Sequence, residues 1–334
     1  MTAPVSAPRI TLVVFGYRQS RTIEEAVRSA LAQVCEPIEI LLSDDASPDD
    51  TLVRMQALAA AYQGPHQVTV RCNPRNLGIN GHFNEVTRVA RGELLVMMAG
   101  DDLSLPDRVA QVAQAWDASG QRLDLIACHL HDMGANGEDH GVLRVDDLSQ
   151  WHSVQDWARR RPYVVGAGHA FTKRLFTRFG PLLPQVGYED QVNLLRALCS
   201  GGACTLDAPL VRYRRGGVSD RMRDFTGEHF LAWLRRLNVL HVALHQQWLH
   251  DAETAGCLDT VQRATEREYR REQFVASLLD APGAAARLKQ ALQPSSLPQG
   301  WRLRKALYLA WPALAARIRS VQSELKRLRR GDKR

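Results

Sequence analysis

Over its first 130 or so residues the chain alternates short apolar runs with helix-patterned segments, and this alternation restricts it to a parallel sheet built from βαβ units. Ile10–Phe15 reads as a buried strand. Thr22 to Glu25 (TIEE) reads as a capping box, opening a helix that buries Ile23, Ala26, Val27, Ala30 and Leu31. Pro37–Leu42 predicts the second strand, and Ser47-Pro48 a second helix with proline in its first turn. Val68–Arg71 and Glu93–Met98 predict further strands, with a helix around Gly81–Ala90 between them; Pro106–Trp116 predicts a helix and Leu123–Cys128 another strand. Asp132 to Asp147 is polar and glycine-rich, as a hairpin or loop would be. A helix is expected near Glu189 and a strand over Leu210–Tyr213; beyond Phe225 the pattern is helical almost throughout.

Composition narrows the class. The 334 residues are 45% hydrophobic and 24% charged, ordinary for a packed globular chain and unlike disordered or collagenous sequences. No stretch reaches the roughly 18 apolar residues that a membrane span needs. The start, MTAPVSAPRI, lacks a basic segment followed by an apolar one, so nothing points to export. Six cysteines without C-x-x-C spacing read as buried free thiols, not a zinc site, and the expected compartment is the cytoplasm. The net charge of +7 is misleading until it is located. Residues 301–334 carry +9, leaving −2 for the rest. A nucleic-acid-binding body would spread basic groups over its folded surface and interleave them with aromatics, so no nucleic acid is expected as partner.

The unusual polar groups fall where the strands end. The first strand closes on Phe15, Gly16 and Tyr17, the second on Asp44 and Asp45, the fourth on Gly100, Asp101 and Asp102, and the turn after the third carries Asn73, Asn76 and Gly78. Open parallel sheets bind ligands outside the carboxyl ends of their strands, so these groups mark a site. A vicinal Asp pair behind a buried strand suits a hard cation such as Mg²⁺ or Mn²⁺, which prefers carboxylates plus phosphate oxygens. Asp44-Asp45 has no glycine cradle and is better suited to a base N–H or ribose hydroxyls.

The order of these motifs resembles the family 2 glycosyltransferases of the GT-A fold. Leu12–Tyr17 (LVVFGY) resembles the family's opening strand and aromatic turn, although Arg18 stands where asparagine is usual. Ala26–Gln33 (AVRSALAQ) resembles the following helix, and Ile38–Thr51 (IEILLSDDASPDDT) the second strand and paired-Asp turn. Asn76-Leu77-Gly78 resembles the N-x-G loop, and Arg91-Gly92-Glu93 leads into the strand before the metal motif, where Ala99 replaces the first Asp of D-x-D-D. The likeness covers about residues 9–220 and is densest over 9–108. It implies a Rossmann-like, mostly parallel α/β sheet with flanking helices and a helical C-terminal extension. It also implies a nucleotide-sugar donor (UDP-, dTDP- or GDP-linked), a divalent cation and a glycan or lipid-linked acceptor, in bacterial surface polysaccharide or lipopolysaccharide synthesis. The donor nucleotide would contact Phe15, Gly16, Tyr17, Asp44, Asp45, Asn76, Gly78 and Asp101. Asp102 and Asp101 would hold the metal, the split between metal and ribose roles staying open. Tyr188-Glu189-Asp190-Gln191 resembles the family's E-D motif at a helix start, which makes Asp190 the general base of an inverting displacement and Glu189 its companion. Arg212, Arg214 and Arg215, before Gly216-Gly217, resemble the basic segment over the donor diphosphate, with Arg214 and Arg215 as its ligands. Trp151, Trp157 and His169 are candidates for lining the acceptor site.

The expected layout is a flexible start (1–8), a GT-A domain (9–222, with a nucleotide-binding half to 130 and an acceptor half from 131), a helical extension (223–300) and a basic amphipathic tail (301–334). In the tail Leu307, Trp311, Leu314, Ile318, Val321, Leu325 and Leu328 step by four and three. That seam suits peripheral docking on an anionic inner membrane face, a short homodimeric coiled coil, or packing on its own domain. Two other functions compete with the glycosyltransferase: a nucleotidyltransferase, which needs an early glycine-rich triphosphate loop where Phe15–Ser20 has a single glycine, and a non-catalytic nucleotide-sugar-binding scaffold.

Overall fold

The computed structural model describes residues 8–215, 227–315 and 317. Its elements follow in chain order: β1 (Ile10–Gly16), α1 (Ile23–Leu31), β2 (Glu39–Asp44), α2 (Thr51–Ala61), β3 (Gln67–Cys72), α3 (Gly78–Val89), β4 (Leu94–Ala99) and β5 (Leu103–Ser104). Then come α4 (Arg108–Ala118), β6 (Leu125–Met133), β7 (Asp139–Leu143), α5 (Val154–Arg159), β8 (Ala170–Thr172), α6 (Arg174–Phe179), α7 (Glu189–Leu198) and β9 (Ala203–Arg214). Four further helices are described after these: α8 (Gly227–Ala255), α9 (Leu258–Asp280), α10 (Gly283–Leu292) and α11 (Gln299–Ala310).

The sheet runs β3-β2-β1-β4-β8-β6-β9-β5, with β7 paired to β6. It is parallel across β3-β2-β1-β4 and between β6 and β9, and antiparallel where the short β5, β7 and β8 enter. The expected mostly parallel α/β sheet is therefore present. Such strands are buried on both faces, which is why β4 reads as an unbroken apolar run and β1 and β2 carry the runs Leu12–Phe15 and Ile40–Leu42. On one face Leu12, Val14, Ile40, Leu42, Val96 and Met98 pack against Ile23, Ala26 and Val27 of α1, Met55 of α2, and Val109, Val112 and Trp116 of α4. On the other, the rings of Phe15, Phe83, Phe171 and Phe176 form a contiguous aromatic stack. Each such aliphatic side chain contributes roughly 1.5–3 kcal/mol by leaving water. Truncating Leu42 to alanine would cost about 2–5 kcal/mol through the cavity it leaves.

β1 lies between β2 and β4, so the β1–β2 connection runs to one side of it and the β3–β4 connection crosses to the other. This switch point places Gly16 between Asp44 on one side and the turn beyond Ala99 on the other, the position where open α/β sheets bind ligands.

Two local expectations are corrected. Thr22 does not cap α1 with its side chain; its hydroxyl donates to the Gly100 carbonyl at 2.9 Å, tying the helix start to the fourth strand's turn. The second helix begins at Thr51, not at Ser47-Pro48, because Ser47 is used in the turn: its amide donates to Asp44 Oδ2 and its hydroxyl accepts from the Arg18 amide. The cysteines are all free, but only Cys128 is fully buried and Cys72 is exposed.

Described residues of Met1–Asp220 and Gln247–Val261 make one compact unit, those of Arg221–Gln246 and Gln262–Arg334 a second. The stretch 247–261 thus belongs with the sheet, a grouping that boundaries at 222 and 300 do not mark. Its attachment is polar and buried: the Arg196 guanidinium on α7 pairs with both oxygens of Asp251 at 2.6 and 3.1 Å. In the second unit Leu278, Leu279, Ala291, Ala306 and Leu309 form the core, and Phe230 meets Tyr308 edge-on. Leu307, Trp311 and Leu314 of the tail seam point away from that core and are exposed. The helix breaks at Trp311, just before Pro312. Ile318, Val321, Leu325 and Leu328, like residues 1–7 and Gly216-Gly217, lie outside the described residues. Among the described residues no helix is long and apolar enough to cross a membrane.

Candidate active site

Three polar clusters carry the candidate site residues, each placed by a different strand or helix. The first is the end of β2. The Asp45 amide donates to the Gly16 carbonyl, which fixes the turn beside β1. The Asp45 carboxylate is then surrounded by donors from the loop beyond β3: Asn73 Nδ2 (2.7 Å) and the Leu77 amide (2.9 Å) reach Oδ1, and the Gly78 amide (3.0 Å) reaches Oδ2. Gly78 has φ +71°, a conformation glycine adopts without strain, and this aims its N–H at the carboxylate. Asn76 completes the loop, donating to the Asp45 carbonyl at 3.3 Å and accepting from Gly78 at 3.1 Å. Below lies a network that the sequence did not announce: Arg71 bridges Ser43 Oγ and Asn73 Oδ1, and Ser43 Oγ lies 2.7 Å from His82 Nε2. Burial pushes the His82 imidazole down to about 4, so it is neutral. Asp44 is fully enclosed, with Oδ2 on the Ser47 amide and Oδ1 unpartnered, and so shapes the turn from within.

The second cluster is the turn after β4. A Cβ at Gly100 would collide with the Phe15 carbonyl, Gln19 Oε1 and Ile23, so the turn can close against β1 only with glycine there. Asp102 is 1% exposed and accepts the Arg214 amide at 2.9 Å. Burial first, then the adjacent Asp101 carboxylate, raise Asp102 to about 8. Burial also raises Asp101, against the opposing pull of Arg214 and Gln19. Two carboxylates pressed together with so few donors are electrostatically under-compensated, which is the environment a bound cation relieves. Among the described residues no third His, Cys, Asp or Glu joins them. Two carboxylates fit Mg²⁺ or Mn²⁺, whose remaining positions are commonly filled by water and substrate phosphates.

The third cluster opens α7. Glu189 and Asp190 occupy its first turn, where the helix N-terminus favours negative charge. Asp190 Oδ1 accepts its neighbour Gln191's amide at 2.7 Å. Burial, then Glu189, raise Asp190 to about 7, while the amides of Gln191 and Gly166 pull the other way; burial raises Glu189 as well. Gly166 belongs to a one-turn 3₁₀ segment, Gly166–Gly168, that the sequence did not single out.

Arg108 joins the second cluster to the third. It is wholly buried, and Nη2 donates to the carbonyls of Met97 (2.9 Å) on β4 and of Ala167 (3.0 Å) and His169 (3.3 Å) on the 3₁₀ turn. Its signal was present in the sequence: Arg108, Val112 and Trp116 recur every four residues on the buried stripe of α4, and an arginine on an apolar stripe calls for an explanation.

The remaining candidates are placed as follows. Phe15 turns its ring into the aromatic stack, while Tyr17 is partly open under the Arg18 guanidinium, 5.4 Å from its ring. Arg214 is committed to protein acceptors: Nε to the Asp101 carbonyl (3.0 Å), Nη2 to Glu25 (2.7 Å) and Nη1 to the Ala135 carbonyl (3.2 Å). Arg215 pairs with Asp132. Trp151 is buried beneath Arg160, 4.5 Å away, and its N–H goes to the Arg160 carbonyl. Trp157 is fully buried, edge-on to Trp248. His169 is buried and pushed down to about 3 by burial and by Arg108, with Nε2 unpartnered.

Comparison with known proteins bears on the family likeness and the fold. Residues 11–157 match the family described as Glycosyl transferase family 2. The chain is 28% identical over 233 residues to the succinoglycan biosynthesis protein ExoO of Rhizobium meliloti, covering 65% of this chain and 64% of that one. It is 23% identical over 255 residues to an uncharacterized glycosyltransferase of Rickettsia typhi, covering 75% and 67%. The match to ExoO thus spans just under two thirds of that relative's length. Among solved structures, TarS 1-349 of S. aureus superposes with a TM-score of 0.56 at 13% identity, covering 97% of this chain and 92% of that one. The same protein in complex with UDP-GlcNAc gives 0.54 at 16% identity, covering 92% and 91%. The likeness to glycosyl transferase family 2 is thus carried by residues 11–157, and the sheet is that of a GT-A fold.

Proposed function

We propose that the chain transfers a sugar from a nucleotide-sugar donor to a hydroxyl of a glycan or lipid-linked acceptor, with inversion and with help from Mn²⁺ or Mg²⁺. The observation that carries this reading is the under-compensated Asp101-Asp102 pair at the β1/β4 switch point. When bound there, the cation would neutralise charge developing on the diphosphate leaving group. Asp45, the Asn76–Gly78 loop, Gly16 and Tyr17 form the wall that receives base and ribose; Asp44 and Phe15 support it from behind. Asp190 takes the acceptor hydroxyl's proton as its oxygen attacks the anomeric carbon, and an elevated pKa makes it a stronger base than an ordinary aspartate. Glu189 orients the acceptor. Arg214 and Arg215 would have to exchange protein acceptors for phosphate oxygens, so their part belongs to the donor-bound state.

The hydrogen bonding of the β1–α1 turn favours this over a nucleotidyltransferase. The amides of Tyr17, Arg18, Gln19 and Ser20 are occupied by Gln19, Ser47, Thr51 and Asp49 side chains, leaving no backbone cradle for a triphosphate. Relatives such as ExoO suggest a bacterial surface polysaccharide as the setting. The exposed Leu307, Trp311 and Leu314, with the basic residues of 301–334, suit an anionic membrane surface on the cytoplasmic side; the helix break at Trp311 interrupts a continuous coiled-coil seam. The test is thermal unfolding with UDP-, dTDP- and GDP-sugars, with and without Mn²⁺. One nucleotide class should raise Tm, and more so with metal. Indifference to all three classes would overturn the donor assignment.

A further inference from the structure

Helix α7 is joined to residues 247–257 by successive rungs. Trp248 Nε1 donates to the Gln191 carbonyl at 3.3 Å, and Arg196 grips Asp251. Beyond them, at the C-terminal end of α7, Cys199 Sγ lies 3.7 Å from Cys257 Sγ. Cys199 is the residue that ends the helix, and Cys257 sits in the corner between α8 and α9, after Gly256 with its φ of +73°. Both residues are half-buried. The other four cysteines have no sulfur neighbour at hydrogen-bond range among the described residues.

We propose that Cys199 and Cys257 are a dithiol that closes to a disulfide, a covalent last rung between α7 and the α8–α9 corner. The two rungs above hold the backbones in place, so side-chain rotation has only to shorten the sulfur separation to the roughly 2.05 Å of an S–S bond. With glutathione disulfide as oxidant, one cysteine thiolate attacks the reagent and expels a glutathione thiolate. The second cysteine, deprotonated in turn, attacks the protein sulfur of the mixed disulfide and expels another. The pair loses two protons and two electrons, and the electrons leave in two molecules of reduced glutathione. Burial, then Cys257, raise the Cys199 thiol well above the ordinary range, so exchange is slow at neutral pH and faster in mild alkali.

The bond would join residues 58 apart in sequence, restricting the unfolded chain far more than the folded one. Since the thiols already touch, α7 need not move and its Glu189-Asp190 end keeps its place. The oxidised protein should therefore be more stable and no less competent to bind donor.

The full-length protein is incubated with glutathione disulfide at pH 8.5, blocked with N-ethylmaleimide, digested and mapped by mass spectrometry. A linked peptide pair containing Cys199 and Cys257 is expected, lost on dithiothreitol treatment, with a Tm rise on the order of 5–10 °C in the oxidised protein. Cys199→Ser and Cys257→Ser should each lose both the linkage and the oxidant-dependent Tm rise. Recovery of both cysteines alkylated or singly glutathionylated, or any other pairing, would overturn the proposal in the wild-type protein, whether or not the variants fold.

Discussion

Asp44-Asp45 and Asp101-Asp102 are alike as sequence, each a vicinal pair closing an apolar strand beside β1, yet the fold surrounds them differently. The loop beyond β3 brings two amides and an Asn side chain to Asp45, and the turn brings a further amide to Asp44. The pair after β4 follows a glycine that lets the chain press against β1, and Asp102 receives one backbone amide. Its charge is raised toward neutrality by burial and by its neighbour. The dipeptide alone carries little meaning. Three N–H groups aimed at Asp45 against one at Asp102 distinguish a carboxylate that organises a loop from one suited to a cation.

The largest expected effect tests the under-compensated pair. Asp102→Asn should lower kcat by ~10³-fold or more, the scale of lost charge stabilisation at a leaving group, while circular dichroism stays native. Full turnover in that variant, or in wild type with chelator, would place Asp101-Asp102 with the loop organisers. Next, the third pair: Asp190→Asn should lower kcat by at least ~10²-fold with donor Kd nearly unchanged, and Glu189→Gln should be milder. Because Asp190 must be ionised to accept a proton, wild-type kcat/KM should climb with pH and level off above about 7, and Asp190→Asn should lack that limb. If Glu189→Gln is the dead variant, the two roles are exchanged.

A smaller contrast separates the members of the first pair. Asp45→Ala should weaken donor binding roughly tenfold by calorimetry, with kcat at saturating donor little changed; Asp44→Asn, which keeps an oxygen for the Ser47 amide, should stay within about threefold. Equal losses would mean that both act only through the turn. The smallest effect concerns stability. Asp102 has a folded-state pKa raised above its unfolded value, so its contribution to stability is fully present below the unfolded pKa and is lost as pH rises through about 8. Metal-free Tm should therefore decline over that window, and Mn²⁺ should restore a few degrees, more at pH 8 than at pH 5. Asp102→Asn should respond weakly to both; a pH-independent Mn²⁺ effect would point to binding elsewhere.

Much of this was legible because apolar runs and strand-end polarity are local signals. β1, β2 and β4 follow from which residues avoid water. The start of α7 at Glu189 and the loop at Asn76–Gly78 follow from turn and cap chemistry. What stayed hidden depends on distant partners. The Thr22 hydroxyl was read as a cap, and only the approach of Gly100, 78 residues away, redirects it. Asp44 and Asp45 are adjacent, and their different roles are decided by where the β3–α3 loop returns. Residues 247–261 look like the rest of a helical stretch, yet Asp251 is claimed by Arg196. Trp151 carries the aromatic face a sugar site uses, but Arg160 already covers it.

Arg108 gives the fold a constraint on how such an enzyme can be re-engineered. One guanidinium holds the strand that runs into Gly100-Asp101-Asp102 and the turn beside Glu189-Asp190, through carbonyl oxygens alone. Backbone carbonyls do not depend on side-chain identity, so residues at 167 and 169 can drift in chemistry while the spacing between the two segments stays fixed. Side chains around this clamp can therefore be exchanged while it is preserved, whereas an insertion between Met97 and Arg108 is expected to displace Gly100-Asp101-Asp102 relative to the turn at residues 166–169.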